Sequence, residues 1–489
     1  MKRLDCRGMA PRPSTVAAWL ALFAVTAACT SSSKLPSPPP PACTPPSPQP
    51  SSFSSSATLA ARVIDLGVHP VNDTVTFHVP AGTASVTILE QESNALAAQT
   101  VSINGQTFAN TTFPHSITVG ETQIFDVYGD AINPDCNPPS VTCQNPTTLS
   151  VYYFSDAAWA GALTIPNTPA MLSAGVPEGT WSMVVSDYAN ECPHVTGCST
   201  VYAYPAGSYQ VTVLLKPGPA PASGAIDFTF YLLTNAYQAA AQNDVATRDP
   251  NVSRMLSTLG TLLGGAGISL GATTFVDLPD SVKAKYLDTA TSLETVDADD
   301  VSACGQVAEL LLNSGPGNAM NLFLVDRITT ANNPAGTSTV GLDGTIPGPA
   351  TVGGTVSSGA LASAANLSSG CNGPIRPRTC GPDEVAYIAA HETGHFLGLY
   401  HPTESDGTWF DPLTDTDICP CSSCAPPGST CQNSSSSVAS PYAMAGTDCV
   451  KSSSCGGGDN LMFWELSGAS VGTLSSQQGE VMRANSLVQ

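Results

Sequence analysis

The chain has 489 residues, enough for two or three domains with a sizeable core, a formal net charge of −22 and only 11% charged side chains. So acidic a protein repels a phosphate backbone, which excludes nucleic acid as a partner.

At the N-terminus, Lys2, Arg3, Arg7 and Arg12 form a basic region ahead of an apolar run from Val16 to Ala28. That run is too short to span a membrane as a helix and suits the core of an export signal, so residues 1–28 read as a signal peptide. The segment ends in Val25-Thr26-Ala27-Ala28-Cys29, which resembles a bacterial lipobox with Cys29 as the lipidated residue. Cleavage after the small residues without lipidation gives a freely secreted protein instead. Either way the compartment is oxidising, and most of the sixteen cysteines are expected in disulfides, with close pairs such as Cys136 with Cys143, Cys192 with Cys198 and Cys371 with Cys380 stapling local loops.

Residues 29–57 are Pro- and Ser-rich with no apolar periodicity and read as an extended stalk. Residues 58–217 change to short runs rich in β-branched and aromatic residues, among them 61–66, 74–79, 85–89, 100–103, 149–154, 180–186 and 208–215, separated by Gly, Pro and Asn. Alternation such as Trp181, Met183 and Val185 marks half-buried strands, so this region is predicted to be an all-β antiparallel sandwich. Its histidines, His69, His78, His115 and His194, are scattered and read as surface or core residues.

Beyond a short linker, residues 224–489 read as mixed helix and strand. A strand over 225–233 is followed by Asp249-Pro250, a cap and first-turn proline, and by apolar residues at helical spacing up to Gly264-Gly265. A second strand covers 268–276, a helix opens at Asp299 and Asp300 and runs through Leu312, and a buried strand covers 319–325. Residues 337–365, rich in Gly, Thr, Val and Ser, read either as an edge strand able to pair with an extended peptide or as a surface loop. A further helix starts near Asp383 and Glu384, whose charges suit a helix N-terminus.

That helix carries His391, Glu392 and His395, and the next turn leads through Gly398 to His401, so three of the seven histidines fall within eleven positions. Imidazoles four residues apart share a helix face and converge on one metal, Gly398 lets the backbone leave the helix, and His401 folds back as the third ligand. Three protein ligands leave a tetrahedral zinc one open position for water, with Glu392 placed as general base.

His391, Glu392, His395, Gly398 and His401 match the HExxHxxGxxH signature, and over its C-terminal half the chain resembles the metzincin metallopeptidases. Met462, in Asn460-Leu461-Met462-Phe463-Trp464, looks like that clan's Met-turn, while Asp415-Thr416 in its acidic, cysteine-rich setting is similar to the pappalysin branch. The resemblance implies an α+β metzincin-like catalytic domain behind the sandwich, with Zn2+ as cofactor and Met462 as an apolar floor beneath the metal. Trp464 stands where some relatives carry a tyrosine, so a tyrosine-assisted oxyanion is not implied. The sandwich looks like the jelly-roll accessory domains that flank many secreted peptidases, a likeness of fold alone. A second expectation is kept: a surface-anchored binding protein or adhesin with an inactive peptidase-like domain, against which the intact Glu392 argues.

After His401, the cysteines Cys419, Cys421, Cys424, Cys431, Cys449 and Cys455 are expected to form disulfides rather than a second metal site. Asp406, Asp411, Asp415 and Asp417 either bind Ca2+ or face solvent. The expected partners are protein or peptide substrates, and a membrane if Cys29 is acylated.

Overall fold

A computed structural model describes residues 61–92, 101–103, 106–108, 111–112, 116–126, 160–185, 187–190, 201–203, 208–299, 305–315, 318–331, 333, 337–377, 380–407, 410–431, 442–451, 455–466 and 472–489. The expected export signal, Cys29, the expected stalk, the strand expected at 149–154, His115, His194, and the pairs Cys136 with Cys143 and Cys192 with Cys198 lie outside the described residues.

The N-terminal half forms two four-stranded antiparallel sheets. The first runs in the order Arg62–Pro70, Ser208–Pro217, Thr83–Glu92, Ala160–Ile165, and the second Thr74–Val79, Gly179–Val184, Ser116–Val119, Thr122–Asp126. Thr74–Val79 alternates exposed and buried along its length, as a strand with one wet face must. Trp181, Met183, Val75, Phe77, Ile88, Leu163, Tyr209, Val211 and Val213 meet between the sheets in one apolar core. Facing sheets around a shared core make this region a sandwich.

The outer face of the first sheet is also covered. Leu89, Ala162 and Leu214 belong to the main apolar core of the C-terminal half, and Lys216, 5% exposed, donates to the carbonyls of Arg483 (2.7 Å), Asn485 (3.2 Å) and Val488 (2.7 Å). Ser85 donates to the Ala484 carbonyl beside it. These carbonyls end the helix Ser476–Ala484 and its tail, groups that need donors from outside their own helix.

The C-terminal half is built on a five-stranded sheet in the order Ile268–Asp277, Gly224–Leu232, Met320–Val325, Ala360–Ser363, Gly341–Asp343. The first four strands are parallel and the last is an antiparallel edge. Parallel strands need helical crossovers, which cover both faces, and Met320–Val325 is accordingly buried at every position. Leu322 and Leu324 face the long helices Pro250–Gly264 and Gly381–Phe396, while Phe323 and Val325 face the short helices Asp280–Tyr286 and Gln306–Leu311. Asp249 caps its helix as read from sequence, accepting from the amides of Asn251 (2.7 Å) and Val252 (3.4 Å).

The chain therefore mixes antiparallel sheets with an α/β layer. The expected α+β arrangement holds only in that coarser sense, because most strands of the second half pair in parallel. The helix expected from Asp299 is described only as Gln306–Leu311, starting after Gly305. Of the two readings of residues 337–365, the edge strand is realised over Gly341–Asp343, paired with Ala360–Ser363.

A candidate metal centre

The helix Gly381–Phe396 packs beside Pro250–Gly264 on the sheet, and most of its length is buried, so its polar side chains need partners. Asp383 in the first turn is fully enclosed; it accepts from Arg254 Nε (2.9 Å) and Nη2 (2.7 Å), Thr258 Oγ1 (2.8 Å) and the Arg376 amide (2.9 Å). This network fixes the helix from its start. At the other end Leu397 closes it, and Gly398, at φ 108°, turns the chain back in a conformation that L side chains rarely adopt.

The turn brings the three histidines together. His395 Nε2 lies 3.0 Å from His391 Nε2 and 3.1 Å from His401 Nε2, and the latter two are 3.2 Å apart. Their remaining ring nitrogens are all engaged: Nδ1 of His391 with the Leu461 carbonyl (2.8 Å), of His395 with the Leu399 carbonyl (2.7 Å), and of His401 with Glu404 Oε1 (2.9 Å). Carbonyl and carboxylate oxygens only accept, so each Nδ1 carries the ring proton. In neutral rings the three Nε2 lone pairs then point at one another, an arrangement that suits a cation among them. Nitrogens about 2.0 to 2.1 Å from a tetrahedral zinc lie roughly 3.3 Å apart, close to the observed triangle. Burial first, and then neighbouring imidazoles, push His391 down to about 3 and His395 well below its ordinary value, which keeps both rings neutral as ligands must be.

Glu392 follows His391 directly and is 5% exposed. Burial, and secondarily the charge of Asp343, pushes its carboxyl well above the usual range. Asp343 and Gly341 lie two apart on the edge strand and share a face. A methyl built at Gly341 falls against Glu392 Oε1, 2.7 Å from its Cδ and 2.9 Å from Ile388 Cγ2, so the edge strand rests directly on the carboxylate. Asp343 is itself pushed well up by burial, and its Oδ2 has no hydrogen-bond partner among the described residues.

Met462 is fully buried and lies against Gly394, where a side chain would strike its sulfur and sit 3.0 Å from its Cε. Its own amide donates to Asn460 Oδ1 (2.8 Å), and Asn460 exchanges hydrogen bonds with Gln478 (2.9 and 3.2 Å), which belongs to the capping box of Ser476–Ala484. The turn is thus anchored from the last helix, and its Leu461 carbonyl orients His391. Trp464 donates from its indole to the Met444 carbonyl at 2.6 Å, a structural use.

Of the residues singled out from sequence after position 60, His391, Glu392, His395, His401 and Met462 lie in this cluster, and the four aspartates do not. Those missed are Glu404, Gly394, Gly341 and Asp343; only Glu404 had a signal, as an acidic residue three positions after the third histidine. Among the described residues the disulfides Cys371–Cys380, Cys419–Cys455 and Cys421–Cys431 are present, whereas Cys424 and Cys449 are free and buried. The aspartates have separate uses: Asp411 is buried and accepts from Thr416 and the Leu413 amide, and Asp415 accepts from Ser475 and the Gln477 amide at the last helix. Among the described residues, the donor groups that converge tightly enough for a metal leave these aspartates out.

A family of unknown function (DUF5977) matches residues 69–112, in the sandwich and away from the histidines. No curated protein matches the chain. Among solved structures the chain is similar to archaemetzincin (amzA) from Methanopyrus kandleri, at 14% identity over 37% of this chain and 78% of that one, with a TM-score of 0.22. It is also similar to protein YxiM from Bacillus subtilis, at 10% identity over 52% of this chain and 46% of that one, with a TM-score of 0.13. At such TM-scores neither likeness carries weight, and the site rests on its own geometry.

Proposed function

We propose that the chain is a zinc-dependent endopeptidase of the metzincin type, with His391, His395 and His401 as metal ligands and Glu392 as general base. The observation that carries this reading is the triangle of three Nε2 atoms 3.0 to 3.2 Å apart, each ring with an acceptor behind its Nδ1. Bound there, zinc would supply a Lewis acid that lowers the pKa of water toward about 7 and polarises a carbonyl. Glu392 takes the proton of the attacking water and passes it to the leaving amine nitrogen. The edge strand Gly341–Asp343 offers its outer side to an extended peptide, which adds as a further strand through main-chain hydrogen bonds and lies over Glu392. Met462 supports the helix under the ligands.

The chain is further proposed to be exported and anchored through an acylated Cys29, with extracellular proteins as substrates; intact mass of the mature N-terminus tests the anchor. The test of the activity is zinc content together with cleavage of an unstructured protein, with and without a chelator. Glu392→Gln should retain zinc and lose hydrolysis, and His401→Ala should lose zinc. Full hydrolysis by the glutamine variant would refute the assignment.

A further inference from the structure

Four buried cysteines lie beside the metal centre. The sulfurs of Cys419, Cys424, Cys449 and Cys455 are all within 4.8 Å of one another. Cys419 and Cys455 are bonded, and Cys424 Sγ stands 3.1 Å from Cys455 Sγ. Cys424 and Cys449 are free thiols whose sulfurs lie within 4.8 Å of each other, and no step proposed at the metal centre uses them.

We propose that Cys424 and Cys449 are the reduced form of a further disulfide, which joins the segment after His401 to the segment that leads into the methionine turn. The two strips are already tied to the site. Cys421, at the start of the turn of helix that ends in Cys424, reaches the Gly407 carbonyl with its amide (3.4 Å), and the Cys419 amide donates to Thr403 (3.1 Å), two residues beyond the third histidine. Cys449 lies on the helix Gly446–Lys451, whose first amide donates to Glu465 (2.9 Å), three residues past Met462. A bond between Cys424 and Cys449 therefore runs alongside Cys419–Cys455 and spans the same gap.

The chemistry needs a two-electron acceptor, here a disulfide of the export compartment. One thiolate attacks that disulfide and expels a thiol, the second thiolate attacks the resulting mixed disulfide, and the Cys424–Cys449 bond forms as the oxidant leaves as two thiols. A four-thiolate metal site competes for the same residues, but with Cys419 and Cys455 bonded to each other only two thiols remain to bind an ion.

The full chain, purified without reductant and incubated with oxidised glutathione, is digested without reduction and its cross-linked peptides are identified by mass. The expected result is a Cys424–Cys449 linkage alongside Cys419–Cys455, with neither thiol open to alkylation in denaturant. Free, alkylatable Cys424 and Cys449, or a glutathione left on either, would overturn the proposal. So would a Cys419, Cys424, Cys449, Cys455 set free of linkages and carrying a zinc ion beyond the one at the histidines. None of these readouts depends on peptidase activity, so failure here and failure of the catalytic assignment are separately visible.

Discussion

Gly341 offers the sharpest test of how the edge strand and the proposed general base depend on one another. Its backbone lies outside the left-handed region, so alanine brings no conformational strain of its own. The added methyl would overlap Glu392 Oε1 and sit 2.7 Å from Cδ and 2.9 Å from Ile388 Cγ2, whereas carbon atoms in comfortable contact lie about 3.5 to 4.0 Å apart. Ile388 and Glu392 are one helical turn apart on a buried face, and the nearest atom, Glu392 Oε1, is the end of a flexible side chain, so the carboxylate is the group that yields. The carboxylate must therefore move by about 1 Å, and a displacement of that size costs on the order of 100-fold in rate, or roughly 2.7 kcal/mol of transition-state stabilisation. Gly341→Ala should lower kcat/KM on an unstructured protein by about that factor while zinc stays at one ion per chain. A variant with wild-type kcat/KM and full zinc would refute the contact. A loss of zinc in step with activity would show that the ligand helix moved rather than the base.

Two further outcomes follow from buried charge. Arg254→Met strips the enclosed Asp383 of its main partner at the start of the ligand helix, and by denaturant titration should cost about 3 kcal/mol. Burial, then the hydrogen bond and charge of Asp326, raise Glu294 from its usual 4.5 to about 7. The folded state then binds the proton more tightly than the unfolded one, so this stabilisation is full below about pH 4.5 and lost as pH rises through about 7; melting temperature should fall over that window, and Glu294→Gln should flatten the fall.

The elements legible in the sequence were those whose signals are local. Asp249-Pro250 capped its helix where expected, the alternation through Trp181 and Met183 made a half-buried strand, and the histidine spacing with Gly398 brought three rings to one point. Strand pairing was not legible in that way. Nothing in 268–276 says that it pairs in parallel with 224–232: it is an edge strand exposed over much of its length, and its pattern reports which positions are covered, not which way its neighbour points. The same limit hid the residues that position the site from far along the chain. Gly341 precedes Glu392 by half a hundred residues, and Gly394 is needed only because Met462 comes to lie on it. Each glycine reads as ordinary until the packing partner is known.

Lys216 shows how far such support reaches. It belongs to the last strand of the sandwich, yet its three ammonium protons are spent on carbonyls that end the helix Ser476–Ala484 and its tail. That helix holds Gln478, Gln478 holds Asn460, and Asn460 sets the amide of Met462 and lies next to the Leu461 carbonyl that orients His391. If the contacts act as a chain, the sandwich is part of the support of the metal site and not a separable module. Lys216→Met keeps most of the apolar stem but leaves three carbonyls without their donor, and charge-assisted hydrogen bonds contribute about 1.5 to 3 kcal/mol each, so a loss of roughly 3 to 5 kcal/mol is expected once partial rescue by water is allowed for. The informative readout is zinc affinity measured well below the melting temperature. A purely structural pin would lower the melting temperature and leave that affinity unchanged, whereas a pin that sets the floor of the site should weaken zinc binding by several-fold, since disturbing the group behind a ligand costs on the order of 10- to 100-fold when it is removed outright. Unaltered affinity in Lys216→Met, and in a fragment that starts at residue 224, would sink the coupling and leave the sandwich a neighbour only.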